Sequence, residues 1–381
     1  MKPGSAKSAY IGRAMERLED ARMLRGLGRY VDDEQPGGLL HVAFLRSPLA
    51  HARLRALDVS KALTLPGVHA VYSAADLPAP VAKIPLRMEP RPELARFEQP
   101  VIAHGKVRYV GEPVAVVVAG TVAQAEDAVA AINMDLEPLP AVTGGANAAP
   151  ENVWLFEEHG THLAMTITAA RGDAEAAFRD APYTRRERFQ VQRHGAMPME
   201  TRGVLADWDA ARGKLNVWGS MKVPFAIRAL LATLMRLPAD AIAVNESDTG
   251  GGFGMRGEFY PEDFWVPYAA RRLAQPVKWI ETRSEHFTAS AHAREAACEL
   301  EIACRLDGTV LALRGPQTAG ELREFNVNAV TGGNDALGIG GQVGNPVALG
   351  GRCRAAPAAM VGGDDAASLR QRRSYRIPGP R

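Results

Sequence analysis

Cysteine is scarce: 381 residues contain three, Cys298, Cys304 and Cys353. The number is odd and CxxC spacing is missing, which argues against both a disulfide framework and a zinc site. A reducing, cytoplasmic compartment is the expectation. No run of about 20 apolar residues occurs, so a membrane-spanning helix is not expected. The opening MKPGSAKSAYIGRAMERLED lacks the apolar core of a signal peptide. Charge of one sign is missing too. With 45 Lys and Arg against 43 Asp and Glu, the net charge is +2, and no footprint for nucleic acid or an anionic membrane emerges. No internal repeat stands out.

What is present is the composition of a globular protein, 46% hydrophobic and 23% charged, which excludes global disorder. Single cores stop growing near ~250 residues, so more than one domain is expected. After a polar arm over 1–20, strand-like HVAFLRS, VHAVYSA and PVAVVVA mark a first α+β unit over 21–140. Thr121 and Gln124 have capping-box spacing, and Ala125, Ala128, Val129 and Ile132 form an apolar stripe that EPLPAV should end. Residues 141–173 read as a connecting arm rich in Gly, Ala, Asn and Thr.

A second unit spans 174–314. It has strands at 183–191 and 215–219, and a helix led by Pro224 with Ile227, Leu230, Leu231 and Leu234 on one face. AIAVNES then runs as a strand into DTGGGFG, a helix starts near Pro261, and PVKWIE is a further strand. Cys298 and Cys304 share the apolar face of one more strand, as core thiols. Beyond Arg314 the periodicity disappears, and 315–381 reads as an irregular tail that does not form a packed core.

Gly250, Gly251, Gly252, Phe253 and Gly254 carry the most chemistry per residue. Consecutive glycines permit positive φ and let backbone N–H groups approach an anion, although a tight turn explains the same letters. Neither GxGxxG nor GxxxxGK[ST] is present, so a dinucleotide or P-loop reading is weak. His159 and His162 have helical pair spacing without further ligands and read as surface histidines. Glu258, Glu262 and Asp263 complement the dipole of the following helix. Arg256 could face an anion or solvent equally.

The order VWGSMKVPFAIRALL, VNESDTGGGFGMRGEFYPEDF, QPVKWIETRSEHF resembles the first cofactor-binding domain of the xanthine dehydrogenase and aldehyde oxidase superfamily, the molybdenum hydroxylases. Upstream, IGRAMERLEDARMLRGLGRYVDD, LRSPLAHARLRALD, LPGVHAVYSAADL and RYVGEPVAVVVA are similar to the α/β hammerhead domain that opens those large subunits, with carbon monoxide dehydrogenase-like members the nearest in character. The likeness covers residues 11 to about 314. It implies an α+β protein with mixed sheets, an N-terminal hammerhead followed by the first molybdopterin-binding domain.

The same resemblance implies a molybdenum–molybdopterin cofactor in its cytosine dinucleotide form, with water-derived oxygen inserted into a C–H bond of an aldehyde or heterocycle, or onto carbon monoxide. It implies partners too: an FAD-binding medium subunit and a 2Fe-2S small subunit. Gly251, Gly252, Phe253 and Gly254 match the family element that lies against the metal's oxo ligand. Lys222 stands where members usually have a hydrogen-bonding Gln, a charged point donor in place of a neutral amide. HGAMPMETRG, with His194, Glu200 and Arg202, resembles a family segment to which no catalytic role is carried over.

The family's essential Glu base lies in a later half of a chain about twice as long, so no catalytic residue and no direct metal ligand is assigned here. Neither Glu321 nor Glu324 takes that role, and Cys353 matches no copper-binding loop. Three readings follow: an enzyme component, a cofactor-free remnant or interaction module, and a split enzyme whose second cofactor domain is a separate chain.

Overall fold

The computed structural model describes residues 10, 12–85, 95, 97–141, 153–161, 165–192, 194–293, 296–319 and 323–330. These fall into two compact units, one drawn from 1–166, 190–297 and 318–324, the other from 167–189, 298–317 and 325–381.

The first unit is built on a seven-stranded sheet of β1 (Leu40–Arg46), β3 (Val68–Tyr72), β5 (Pro113–Ala119), β9 (Gly203–Asp209), β10 (Lys214–Gly219), β11 (Ile242–Glu246) and β12 (Val277–Ile280). Its order is β11-β10-β9-β12-β1-β5-β3. A small three-stranded sheet, β4 (Lys106–Val107), β2 (Ala52–Asp58) and β6 (Asn133–Pro138), stands beside it. Among the described residues the helices of this unit are α1 (Asp20–Met23), α2 (Ser60–Leu63), α3 (Val122–Ala131), α5 (Pro224–Met235), α6 (Pro261–Leu273) and α7 (Arg283–Ala289).

Every residue of β5 is buried, because helices cover both faces of the sheet. Val116 and Val118 face a core completed by Ile227 and Leu231 of α5 and Phe264, Trp265 and Ala269 of α6. Ala115, Val117 and Ala119 point the other way, against Ala125 and Ala128 of α3. The expected stripe on α3 is therefore correct, and the Thr121 hydroxyl accepts from Gln124 N at 3.2 Å as its cap. The helix stops at Ala131, earlier than EPLPAV, since Asn133–Pro138 pairs along β2 as β6.

The seam in the large sheet lies between β1 and β12, which pair in parallel through Leu40↔Val277 and His41↔Lys278. Trp265 Nε1 donates to Val101 O at 2.9 Å, and Trp265 stacks on Tyr72. Lys278, only 2% exposed, reaches back to the carbonyls of Asp32 and Glu34 at 2.8 and 3.0 Å. The first α+β unit read from the sequence keeps a core of its own, with Ala62, Val71, Ala115, Val117 and Ala119 against Ala125 and Ala128, and on the other face of its sheet shares a second core with α5 and α6.

The second unit holds most of a five-stranded sheet of order β7-β15-β14-β13-β8. Its strands are β7 (Met165–Arg171), β8 (Tyr183–Val191), β13 (Ala296–Cys304), β14 (Val310–Ala319) and β15 (Arg323–Val330), with α4 (Ala174–Asp180) alongside. Two expectations are corrected here. The stretch read as a connecting arm contains β7, and regular structure continues past Arg314 through the end of β14 and all of β15. Arg314 is a pin: its guanidinium meets Glu301 at 2.7 Å and Glu175 at 2.6 Å and lies over the Phe178 ring. Cys304 is buried on β13 and Cys298 partly so. The remainder of the sequence expected as a tail, from residue 331 and including Cys353, lies outside the described residues, as do Glu321 and His162.

Candidate functional site

β10 and β11 run parallel, Leu215↔Ile242 to Gly219↔Glu246, so their C-terminal ends open at one edge of the sheet. Such ends are where open α/β sheets bind ligands. From β11 the chain passes through Ser247–Gly254, makes a short 3-10 turn at Met255–Gly257, and enters α6 at Pro261. Gly251 and Gly254 have φ of +104° and +103°, and Phe253, with a Cβ, is held at +49°. A non-glycine residue in that region is strained by about 1–2 kcal/mol, and its ring is 79% exposed.

The loop is held from one side. The Arg256 guanidinium, buried behind it, donates from Nε to Gly251 O at 2.6 Å. Its other nitrogens reach Glu200 O, Thr201 O and Ser220 O at 2.8, 3.1 and 3.5 Å, and the Glu200 carboxylate at 3.0 Å. Burial lowers the Arg256 pKa, and the Glu200 charge opposes that shift. Glu200 Oε2 accepts from Gly250 N at 2.7 Å, while the Ser220 hydroxyl donates to Glu200 Oε1 at 2.9 Å. A Cβ on Gly250 would fall 2.5 Å from Glu200 Cβ, so only glycine fits that contact.

Arg256 therefore does not face solvent, one of the two readings open from its position in the sequence. Its donors are occupied by main-chain carbonyls and one carboxylate. Among the described residues none accepts from the N–H groups of Gly251, Gly252, Phe253 or Gly254. Lys222 is exposed on the segment after β10, and its own N–H donates to Arg256 O at 3.2 Å, which sets it beside the loop.

From the other side a residue ahead of β1 fixes the start of the loop. Arg22 grips Asp248 with two nitrogens at 2.5 and 2.7 Å, and Arg29 N adds a third bond at 2.7 Å. The Arg22 fork and that N–H hold the Asp248 carboxyl at about 2.

Beneath the loop lies a buried network of charge. Arg202 pairs with Glu281 at 2.6 Å and Glu262 at 3.1 Å, and Glu262 with Arg46 at 2.7 Å. Arg46 also meets Glu285 at 2.9 Å, and His286 sets Nδ1 2.9 Å from Glu281 and Nε2 2.7 Å from Ala196 O. Burial resists charge on Glu262, yet Arg202 and Arg46 lower its pKa on balance. Glu262 is thus more than the dipole-complementing residue expected at the start of α6. Asp263 caps the helix, accepting from Tyr260 N at 2.8 Å.

Burial raises Asp263 and Glu112 to about 7 each. The folded chain then keeps a proton on each at pH values where the unfolded chain, with ordinary carboxyls near 4, has lost it. Stability should fall as pH rises between about 4 and 7. From pH 5 to pH 8 the loss is about 2 kcal/mol per group, which Asp263→Asn and Glu112→Gln should each abolish in urea unfolding curves. A profile as steep in the double variant as in the parent would refute this.

His159 packs against Phe97 and Phe156 rather than on a second histidine. His194 is exposed, and among the described residues no group of three His, Cys, Asp or Glu is placed to hold a metal ion. Nor is any helix among them long and apolar enough to cross a membrane.

Two family descriptions match the chain: an aldehyde oxidase and xanthine dehydrogenase a/b hammerhead domain over residues 25–140, and a molybdopterin cofactor-binding domain over 155–320. The nicotine 6-hydroxylase large subunit of Paenarthrobacter nicotinovorans is 35% identical over 304 residues, 80% of this chain and 37% of that protein. The carbon monoxide dehydrogenase large chain of Afipia carboxidovorans is 34% identical over 332 residues, 82% of this chain and 40% of its own length. Among solved structures, quinoline 2-oxidoreductase from Pseudomonas putida 86 superimposes with a TM-score of 0.69 at 33% identity, over 84% of this chain and 44% of that one. The chain spans about two-fifths of the length of these relatives.

Proposed function

The chain belongs to the aldehyde oxidase and xanthine dehydrogenase family of molybdenum hydroxylases, as part of a molybdopterin-binding large subunit, and we propose that the Gly251–Gly254 loop is its contribution to the cofactor site. The observation that carries this is the row of four adjacent N–H groups without an acceptor among the described residues, on a loop whose carbonyl and preceding N–H are tied back by Arg256 and Glu200.

The residues fit an anionic group. Gly251 and Gly254 have the positive φ that lets successive N–H groups converge, and Gly252 has nothing nearer than 3.7 Å to the place of a Cβ. A molybdenum–molybdopterin group, in its cytosine dinucleotide form on our reading, would supply two-electron redox chemistry and delivery of a water-derived oxygen to carbon. Gly251, Gly252, Phe253 and Gly254 would bind and orient its anionic face with fixed dipoles, which need no reorganisation as charge develops. The exposed Phe253 ring would exclude water above them, and Lys222 Nζ would add a mobile positive donor where a neutral amide is usual.

Substrate choice among aldehydes, heterocycles and carbon monoxide, and the handing of electrons to FAD and 2Fe-2S subunits, are proposed for the whole assembly rather than for these residues. That assembly includes the portion of the relatives this chain does not span, on the same polypeptide or a separate one, and we place it in the cytoplasm.

The test is molybdenum and pterin content by elemental analysis and fluorescence, for the chain alone and co-expressed with the polypeptide that completes the relatives' length. Retained molybdopterin in either sample is expected. Gly254→Val should reduce it at least tenfold while costing about 1–3 kcal/mol of stability, because its φ of +103° strains a β-branched residue although no neighbour crowds it. Molybdenum absent from both samples, or unchanged in Gly254→Val, would sink the reading in favour of a cofactor-free module.

A further inference from the structure

The segment HGAMPMETRG carries two thioethers spaced Met-x-Met, and the fold sets an imidazole from another part of the chain beside them. Gly195 pairs with His292 as an isolated antiparallel bridge, and Ala293 N donates to His194 O at 2.7 Å. A Cβ on Gly195 would stand 3.3 and 3.6 Å from Cδ2 and Nε2 of His292, and 3.4 Å from Cε of Met197. The imidazole edge and the thioether methyl therefore converge over a residue that has no side chain to part them. Met199, two residues further and 92% exposed, continues the stretch, and residues two apart in an extended chain share a side. The backbone beneath is fixed: Arg283 Nη2 donates to Pro198 O and Met199 O at 2.9 and 3.0 Å, and His286 Nε2 to Ala196 O at 2.7 Å. Among the described residues no hydrogen bond or ion pair occupies the His292 ring.

We propose that His292, Met197 and Met199 form a binding site for a soft monovalent cation, Cu(I), with one imidazole nitrogen and two thioether sulfurs as ligands. The donor set selects the ion. Thioethers are neutral and polarisable, and they hold soft ions while binding hard divalent ones poorly. Glu200, the carboxylate nearest in sequence, is taken up by Gly250 N, the Ser220 hydroxyl and Arg256, so Mg2+ and Ca2+ find no free oxygen ligand there. Three neutral ligands leave the charge of the ion uncompensated, and a single charge beside solvent costs less to hold than a double one. The three rotatable bonds of each methionine let the sulfurs close on the ion over a backbone that is already set. The site uses none of the N–H groups of Gly251–Gly254, so it stands whether or not that loop holds a cofactor.

The test blocks accessible thiols with N-ethylmaleimide first, so that cysteines do not compete for the metal. Calorimetric titration with Ag(I), a redox-inert ion of the same class, should then show one bound equivalent, and competition against a chromophoric Cu(I) chelator should show the same for Cu(I). Met197→Leu with Met199→Leu keeps size and apolar character and should weaken binding roughly tenfold or more. Peroxide locates the site. With Ag(I) bound, conversion of Met197 and Met199 to sulfoxide, read by peptide mass spectrometry, should slow roughly tenfold, while that of Met15, 61% exposed, is unchanged. His292→Ala should remove that protection, and because the ring is exposed its loss leaves the core untouched. No bound equivalent, protection that extends equally to Met15, or binding indifferent to either variant would overturn the proposal.

Discussion

Arg202→Met should destabilise the chain by about 3–5 kcal/mol, more than any other single substitution argued from the structure. Arg202 is only 6% exposed and stands between Glu262 and Glu281, at 1% and 2%. Burial works against its charge, but the two carboxylates outweigh burial and hold it protonated. Removing it leaves two buried carboxylates with less compensation, and it strips the Tyr260 and Trp279 rings of the guanidinium 3.8 and 5.2 Å from their centres. Arg46 can neutralise Glu262, since it contacts the other oxygen, whereas Glu281 keeps His286 and the main-chain N–H of residue 202 but loses its paired guanidinium. The denaturation midpoint is therefore expected to recover in part when Glu281→Gln is added to Arg202→Met. Equal midpoints for the single variant and the parent would show that the network relaxes without it.

Arg256→Met has the second effect, about 3 kcal/mol, and a different character. Four main-chain carbonyls lose a donor at once: Gly251, Glu200, Thr201 and Ser220. Lysine cannot replace a planar fork, so Arg256→Lys should behave nearly as badly. The distinguishing readout is local. Hydrogen exchange at Gly250, whose N–H is bonded to the Glu200 carboxylate that Arg256 holds, should quicken more than at β5, because the clamp acts on the loop while the core of the sheet is packed without it. If loop and core quicken alike, Arg256 supports the fold in general and not the loop in particular.

The elements that were legible in the sequence are those whose local pattern and tertiary environment agree. Tyr183–Val191 has the bounds its letters suggest, α5 starts at Pro224 with Ile227 and Leu231 inward, and PVKWIE contains β12. β9 was overlooked although it is central in the large sheet, since GVLADWD mixes buried apolar residues with Asp207 and Asp209 and shows no strict alternation. β6 was hidden by its two acidic residues and terminal proline, β15 by a stretch whose composition is that of a loop.

The site divides in the same way. A glycine run announces itself, and so do its strand before and helix after. What holds the run does not: Glu200 and Ser220 lie 56 and 36 residues from Arg256, and Arg22 lies 226 from Asp248. Nothing in a window of ten letters encodes those distances. The one usable hint was the arginine two residues beyond GGGFG, a charge set in an otherwise small and apolar stretch, whose cost of burial implies dedicated partners.

The seam between β1 and β12 bears on descent as well as on folding. Two segments matched by separate family descriptions are here stitched by a parallel strand pair, by Trp265 on Val101 and by Arg46 on Glu262. A hammerhead taken from one lineage and a cofactor domain from another would have to match at all three stitches simultaneously. A substitution on either side of the seam is therefore constrained by the residue it meets on the other.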